Sequence, residues 1–287
     1  MKSKFLSPFL VFCAAVCFSL GGLLVKLVPW HSLSIGCARC AIAALELLVY
    51  MKIKKHPIRL NRSVLIGGVA IGATSTLYVI ANKLTTAANT ILLQYTAPVF
   101  IILLSWLIFS EKPDKIDVGA TVVLSFGVVL FFLDSISSGG MLGNLLALAS
   151  GVTYAVMFMM KKFDGSDTLS SVLIGCIIGV LVGLPWIARE TDFSLPAVGG
   201  VLVIGLVQFG LAYICMAEGL QKTPALTASL ISMIEPILNP ILAAVVLSEK
   251  LGTLALIGAL IVIGGVLVYN ILKAGQTKAD PAEENNA

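Results

Sequence analysis

Arg39 and Glu235 are the two ionisable residues that stand deep within long apolar stretches of this 287-residue chain. A charge at the centre of a lipid bilayer costs roughly 2.5–3.5 kcal/mol even on the lenient insertion scale. Each must therefore face an interior where water, a partner or a bound molecule solvates it. Arg39 suits a carboxylate or phosphate, and Glu235 suits an amine or a proton. Two readings stay open: each meets a substrate group or coupling proton, or the two pair with each other and pin neighbouring helices. Polar residues gather at the same depth, about 8–13 positions from either end of their stretch at the helical rise. They are Ser19, Ser75, Gln94, Tyr95, Ser125, Tyr154, Gln208, Ser232 and Asn239, with Tyr78 and Tyr213 beside them. All but Ser125 join Arg39 and Glu235 as candidate substrate-binding residues. Lys26, Glu46, Asn82 and Glu218 lie nearer the ends, where a long side chain reaches the interface.

The residues that would do covalent or hydrolytic chemistry are missing. The two histidines, His31 and His56, fall in loops expected on opposite sides of the membrane, and there is no HExxH, no Walker loop and no aspartate pair within a span. These absences argue against an enzyme and against a pump with its own ATP motor. All six cysteines lie within apolar stretches. Cys37 and Cys40 form a CxxC, but no second pair exists to complete a metal set, so they read as small packing residues. No cofactor or metal is implied.

The elements that must position these residues follow from composition. The chain is 58% hydrophobic and 12% charged, with a mean hydropathy of +1.02; a soluble domain carries about a quarter charged residues. A spanning helix needs about 20 apolar residues. Ten such helices are expected: Leu6–Val28, Ser32–Met51, Ser63–Asn82, Thr86–Phe109, Ile116–Leu133, Met141–Met160, Leu169–Ala188, Ala197–Gly219, Thr223–Ser248 and Leu251–Leu272. The first is too long for a signal peptide and another span follows at once. Residues 273–287 read as a disordered cytoplasmic tail. With the N-terminus inside, the outer loops hold only Lys83, Arg189 and Lys250. Lys26 and Arg39 lie within spans, which leaves fourteen of the nineteen Lys and Arg residues inside. Cytoplasmic enrichment of Lys and Arg sets orientation, so both termini are expected in the cytoplasm of a multi-pass inner (plasma) membrane protein. The +4 net charge is then an orientation signal, and no basic run interleaved with aromatics suggests nucleic acid.

The chain also repeats itself. At an offset of 138, Pro98 falls on Pro236, Ser110-Glu111-Lys112 on Ser248-Glu249-Lys250, and Gly127-Val128 on Gly265-Val266. Residues 1–135 and 136–272 are expected to be two five-span halves. Because five is odd, the second half enters from the opposite side, and the repeat is inverted. That is a signature of secondary transporters, in which one sequence in two orientations exchanges inward-open and outward-open shapes. A channel or structural bundle is the rival class. Pro98, Pro236 and Pro240 fall in the middle of the fourth and ninth spans, where each removes an N–H and frees a carbonyl; they are candidate helix breaks or gates. Gly175, Gly179 and Gly183 form a small-residue stripe for close packing within the bundle, or between copies in a homodimer.

The layout, the run LLQYTAPVF…FSEK (residues 92–112) and its echo TPALTASL…EP…LSEK (residues 223–250) are similar to EamA-type carriers of the drug/metabolite transporter superfamily, over nearly the whole chain. The resemblance implies export or exchange of a small polar metabolite, an amino acid or a related compound, by alternating access. Export of amphiphilic cations is the alternative. The expected partners are the substrate, the lipid bilayer and a coupling proton, with the chain as monomer or homodimer.

Overall fold

The structure is a computed structural model and describes residues 2–138, 140–160, 163–220, 223, 231–232, 234–248 and 252–279. All regular secondary structure among them is helical. The first apolar stretch divides into α1 (Lys2–Ser19) and α2 (Gly21–Leu27); α3 (Ser32–Lys54) and α4 (Arg62–Leu84) are continuous. The fourth stretch divides into α5 (Ala87–Gln94) and α6 (Ala97–Phe109), followed by α7 (Lys115–Ser138), α8 (Met141–Met159) and α9 (Thr168–Ile187). The eighth stretch comprises α10 (Leu195–Val203), a π-helical segment (Ile204–Leu211) and α11 (Ala212–Leu220). The chain closes with α12 (Ile234–Leu247) and α13 (Thr253–Ala279). Six helical stretches among the described residues are long and apolar enough to cross a membrane, and Met141–Met157, Ile234–Leu247 and Leu256–Tyr269 are shorter apolar helices.

Local chemistry starts and stops these helices. Asn61, Thr86 and Asp167 precede α4, α5 and α9, and each side chain accepts a backbone N–H of the first turn, one of the four donors a helix start leaves orphaned. Ser110 and Ser248, equivalent residues of the repeat, end α6 and follow α12 with φ of 57° and 54°. A left-handed residue commonly ends a helix because its geometry satisfies the last carbonyls. Glu249 and Lys250 lie outside the described residues.

Two expectations change at this level. α13 continues to Ala279 instead of giving way to a disordered tail at Lys273; the stretch holds no proline, and its one weak helix former, Gly275, costs only about 1 kcal/mol. Pro98 does not kink the middle of a helix. The break lies at Tyr95–Thr96, and Pro98 is the second residue of α6, where a missing N–H forfeits no helical bond. Pro236 and Pro240 lie within α12; residue 233 lies outside the described residues, and 231–232 are helical.

The interior is packed through small residues. The α9 stripe faces inward: a Cβ on Gly175 would meet Ile71 and the Gly68 carbonyl, one on Gly179 would meet Cys40 at 2.6 Å from Sγ, and one on Gly183 would run into Leu33 and Cys37. α9 is thereby seated against α3 and α4. α7 and α13 meet at the matched glycines. A Cβ on Gly127 would touch Gly258, Ile261 and Val262, and one on Gly265 would touch Val123 and Leu124. Subtracting the offset of 138 turns Ile261 and Val262 into Val123 and Leu124, so the contact is reciprocal. The partner number falls as the residue number rises, so the two helices cross antiparallel. Ser125 sits one position from buried Leu124 and is exposed, because 100° of rotation carries it off this contact.

Asp167 joins two loops. Its carboxylate caps α9 through Ser170 and lies 3.0 Å from His56 Nε2. Burial alone would raise its pKa, but the Ser170 and His56 hydrogen bonds outweigh that and hold the carboxyl below its ordinary value. A depressed carboxyl stabilises the fold above its unfolded pKa and loses that contribution as pH falls through the folded pKa. Asp167→Ala should lower stability by about 1–2 kcal/mol near neutral pH. In thermal melts of purified protein, its gap from wild type should narrow as pH falls below the usual carboxylate range.

Candidate functional site

Three interruptions of regular helix converge at mid-depth. Beyond the turn at Leu20, Gly21 and Gly22 let other side chains approach α2. A Cβ on Gly21 would stand 2.9 Å from Gln208 Nε2 and 3.1 Å from the Tyr78 hydroxyl, and one on Gly22 would overlap the Asn239 amide oxygen. The break at Tyr95–Thr96 turns Tyr95 toward α12, where its hydroxyl donates to Glu235 Oε2 (2.8 Å) and to the Ser232 carbonyl (3.2 Å). The π-helical segment supplies Gln208 and Phe209. Wide turns of this kind often mark functional positions, since the extra residue re-aims side chains.

These elements enclose a cavity of about 1050 Å³, counting its open mouth. Its deep wall comprises Arg39, Ser75, Tyr78, Gln94, Tyr154, Gln208, Tyr213 and Glu235, and Phe18, Thr74, Phe209, Met157, Met160 and Met216 form apolar panels around it. Gly67, Ser166, Asp167, Thr168 and Ser171 line the approach, so the mouth opens at the Arg62 end of α4. Past Tyr78 the interior is closed. Lys26 Nζ donates to the Thr85 carbonyl (2.8 Å), Lys83 Nζ to the Val28 carbonyl (2.6 Å), and Trp30 Nε1 to the Asp192 carbonyl (2.5 Å). Thr85 also donates to Asn144 Oδ1 at 2.7 Å. Lys26 is half-buried with its ammonium on a backbone carbonyl, and Asn82 is wholly buried; sequence depth alone reveals neither.

Arg39 and Glu235 do not pair. The guanidinium donates from Nη2 to the Ser75 carbonyl (2.8 Å) and hydroxyl (2.7 Å), and lies 4.8 Å from the centre of the Phe209 ring. It is 1% exposed, and its Nε–H has no partner. Glu235 is held by Tyr95 instead. Gln94 Oε1 and Gln208 Oε1 are also buried without partners. Of the two readings of the charged pair, mutual neutralisation is therefore not what the structure contains. A cation with a spare donor and a carboxylate share one cavity, with two spare amide acceptors beside them. Charges at this depth reward a ligand that presents the opposite charge to each.

Of the other residues singled out from the sequence, Tyr95, Ser232 and Asn239 stand behind the wall. The Asn239 amide reaches the Tyr78 hydroxyl at 3.5 Å. Ser19 is buried and donates to the Val16 carbonyl of its own helix, away from the cavity. Phe18, Phe209 and the three methionines give no signal in the sequence because apolar residues are everywhere; only the fold distinguishes a cavity wall from a lipid face.

Arg39→Gln should abolish ligand-induced stabilisation of the purified protein, and Arg39→Lys should not restore it, because a lysine cannot keep the Ser75 fork while stacking on Phe209. Since Arg39 and Glu235 do not pair, Glu235→Gln should not restore the melting temperature lost in Arg39→Gln; such rescue would contradict the geometry. Gly22→Ala should lower stability by about 1–3 kcal/mol through overpacking against Asn239, read as a shift in melting temperature.

The sequence matches the EamA-like transporter family twice, over residues 6–133 and 141–271. It is 26% identical to the uncharacterized transporter YwfM of Bacillus subtilis (strain 168) over 98% of this chain and 99% of that one. It is 29% identical to the uncharacterized transporter YetK of the same organism over 70% of this chain and 64% of YetK. Human solute carrier family 35 member G1 is 25% identical over 71% of this chain and 62% of that protein. A crystal structure superposes with a TM-score of 0.66, covering 94% of this chain and 98% of that one at 18% identity, a likeness of fold. With both family segments matched and an all-helical bundle enclosing a polar cavity, the chain belongs to the EamA-like transporter family.

Proposed function

We propose that the protein is a secondary carrier that moves a zwitterionic metabolite, an amino acid or close relative, by alternating access. The observation that carries this reading is the deep end of the cavity. Arg39 offers an unpaired N–H to a carboxylate, while Glu235 and the Gln94 and Gln208 amide oxygens can receive an ammonium. Both ends of an α-amino acid are satisfied at once, and the apolar panels of Phe18, Phe209, Tyr213 and the methionines accept its side chain.

The carrier has ten spans in an inverted five-plus-five arrangement. The offset of 138, the left-handed serines at 110 and 248 and the reciprocal antiparallel contact of α7 with α13 support it. Both termini face the cytoplasm, as the loop charges imply. The mouth beside Asp167 then opens to the cytoplasm, and the Lys26, Lys83 and Trp30 contacts close the outer face. Pro98 and Pro236 occupy matched places in the two halves, and movement of their helices against the fixed site exchanges one opening for the other. The two states need differ by only a few kcal/mol.

Reconstituted protein should carry out counterflow. Vesicles loaded with an unlabelled amino acid should accumulate the labelled one against its gradient, as a channel does not. A thermal-shift screen against amino acids, sugars, nucleobases and amphiphilic cations selects the pair to use. Stabilisation by amphiphilic cations alone would overturn the zwitterion assignment, and flux without counterflow would overturn the carrier. Lys83→Ala, which removes one outer contact, should raise labelling of thiols placed at the outer mouth and lower it at Ser166→Cys.

A further inference from the structure

Glu46 was expected near the interface. On α3, which runs on to Lys54, it is half-buried. Leu45, Leu48 and Val49 on the same helix are exposed toward lipid, but one carboxylate oxygen of Glu46, Oε2, is shielded and has no hydrogen-bond partner. It is packed onto Gly210 so closely that a Cβ there would overlap it. An ionised oxygen in that position would lack any compensation, whereas a protonated carboxyl fits.

Gly210 belongs to the π-helical segment Ile204–Leu211. The same turn sends Gln208 into the cavity and lays Phe209 over the Arg39 guanidinium. One face of the turn thus lines the cavity and the next shields one carboxylate oxygen of Glu46. One helical turn along α3 from Glu46, Tyr50 donates to the Glu218 carboxylate, on the side of the membrane where the cavity opens. The titratable groups around Glu46 are Cys215 on α11, with Cys13 and Cys17 of α1 beyond it, the Tyr50–Glu218 pair, and Arg39 two turns away on its own helix. Cys176 of α9 lies at Cys40 and Arg39. Among the described residues no lysine or arginine forms an ion pair with Glu46.

We propose that Glu46 is a proton-binding site of the carrier, separate from the substrate cavity and linked to it through the π-helical turn. One proton from the aqueous side bearing Tyr50 and Glu218 converts the carboxylate to the neutral acid that packs on Gly210; its loss leaves a charge that the packing does not tolerate, and the turn must shift to admit water. Protonation therefore favours the observed conformation, with the mouth open at Asp167. The consequence for transport rests on the carrier reading, but the binding event does not.

The test uses the full chain in liposomes without substrate. In a background with the six native cysteines replaced, maleimide labelling of Ser166→Cys, at the mouth, should fall several-fold relative to a fully exposed control thiol as pH rises through the titration of the acid, the control correcting for the rise in thiolate. In Glu46→Gln, which keeps the neutral shape, that ratio should stay high at every pH. Infrared difference spectra should show the carbonyl stretch of a protonated carboxyl in wild type and lose it in Glu46→Gln. Gly210→Ala, which displaces the carboxyl, should also abolish the pH response, and it serves if Glu46→Gln folds poorly. An unchanged pH response and an unchanged carboxyl band in Glu46→Gln would overturn the proposal. Counterflow at a fixed pH is measured separately, so either reading can fail without the other.

Discussion

Within the hydrocarbon a polar group has no water to turn to, and the burial of Arg39 is where this constraint acts most strongly. Its charge is tolerated because α4 brings both oxygens of Ser75 to it and the π-helical segment covers it with Phe209. Each of these supports requires an element in a definite place: α4 continuous past Ser75, and the π turn opposite α3. The same rule governs the backbone. Irregular chain at membrane depth is tolerated only where protein or a water-filled cavity satisfies it, and the breaks at Leu20 and Tyr95–Thr96 are buried in the bundle. The breaks and the charges therefore share one interior, and that interior is the cavity.

Helix packing makes this affordable. Lipid tails are as apolar as leucine, so helices gain little from hydrophobic burial against one another and associate through close contact of small residues. Gly68, Gly72, Gly175, Gly179 and Gly183 bring α3, α4 and α9 together, while Gly127 and Gly265 join α7 to α13. Glycines also set the polar geometry: Gly21 and Gly22 admit the Gln208, Tyr78 and Asn239 side chains, and Gly210 admits Glu46. The seams of small residues hold the scaffold rigid, and the isolated glycines decide how near a polar group can come.

The two ends of the cavity differ in kind. The mouth is lined by small hydroxyl residues and one carboxylate that already has partners. The far end is tied by lysine and tryptophan donors to backbone carbonyls, with Thr85 and Asn144 beneath them. Such contacts form and break without exposing apolar surface, as the proposed exchange of openings requires.

The class, the apolar stretches and the repeat are legible in the sequence, because these depend on composition and spacing along one chain. So are Arg39, Ser75, Tyr78, Gln94, Tyr154, Gln208, Tyr213 and Glu235, because a polar residue within a span is costly against lipid and tends to face inward. Which neighbour each one meets was decided by the tertiary structure. Arg39 and Glu235 are opposite charges at equal depth, and no spacing rule tells a pair from two separate anchors; the fold gave Ser75 to one and Tyr95 to the other. Ser125 passes the same depth test and yet faces outward, because which side of a helix is buried depends on its neighbours. The π-helical segment and the contacts of Lys26 and Glu46 were likewise hidden from the sequence. Each depends on contact between helices distant along the chain: Lys26 meets a carbonyl that α4 ends on, and Glu46 meets a glycine more than 160 residues away.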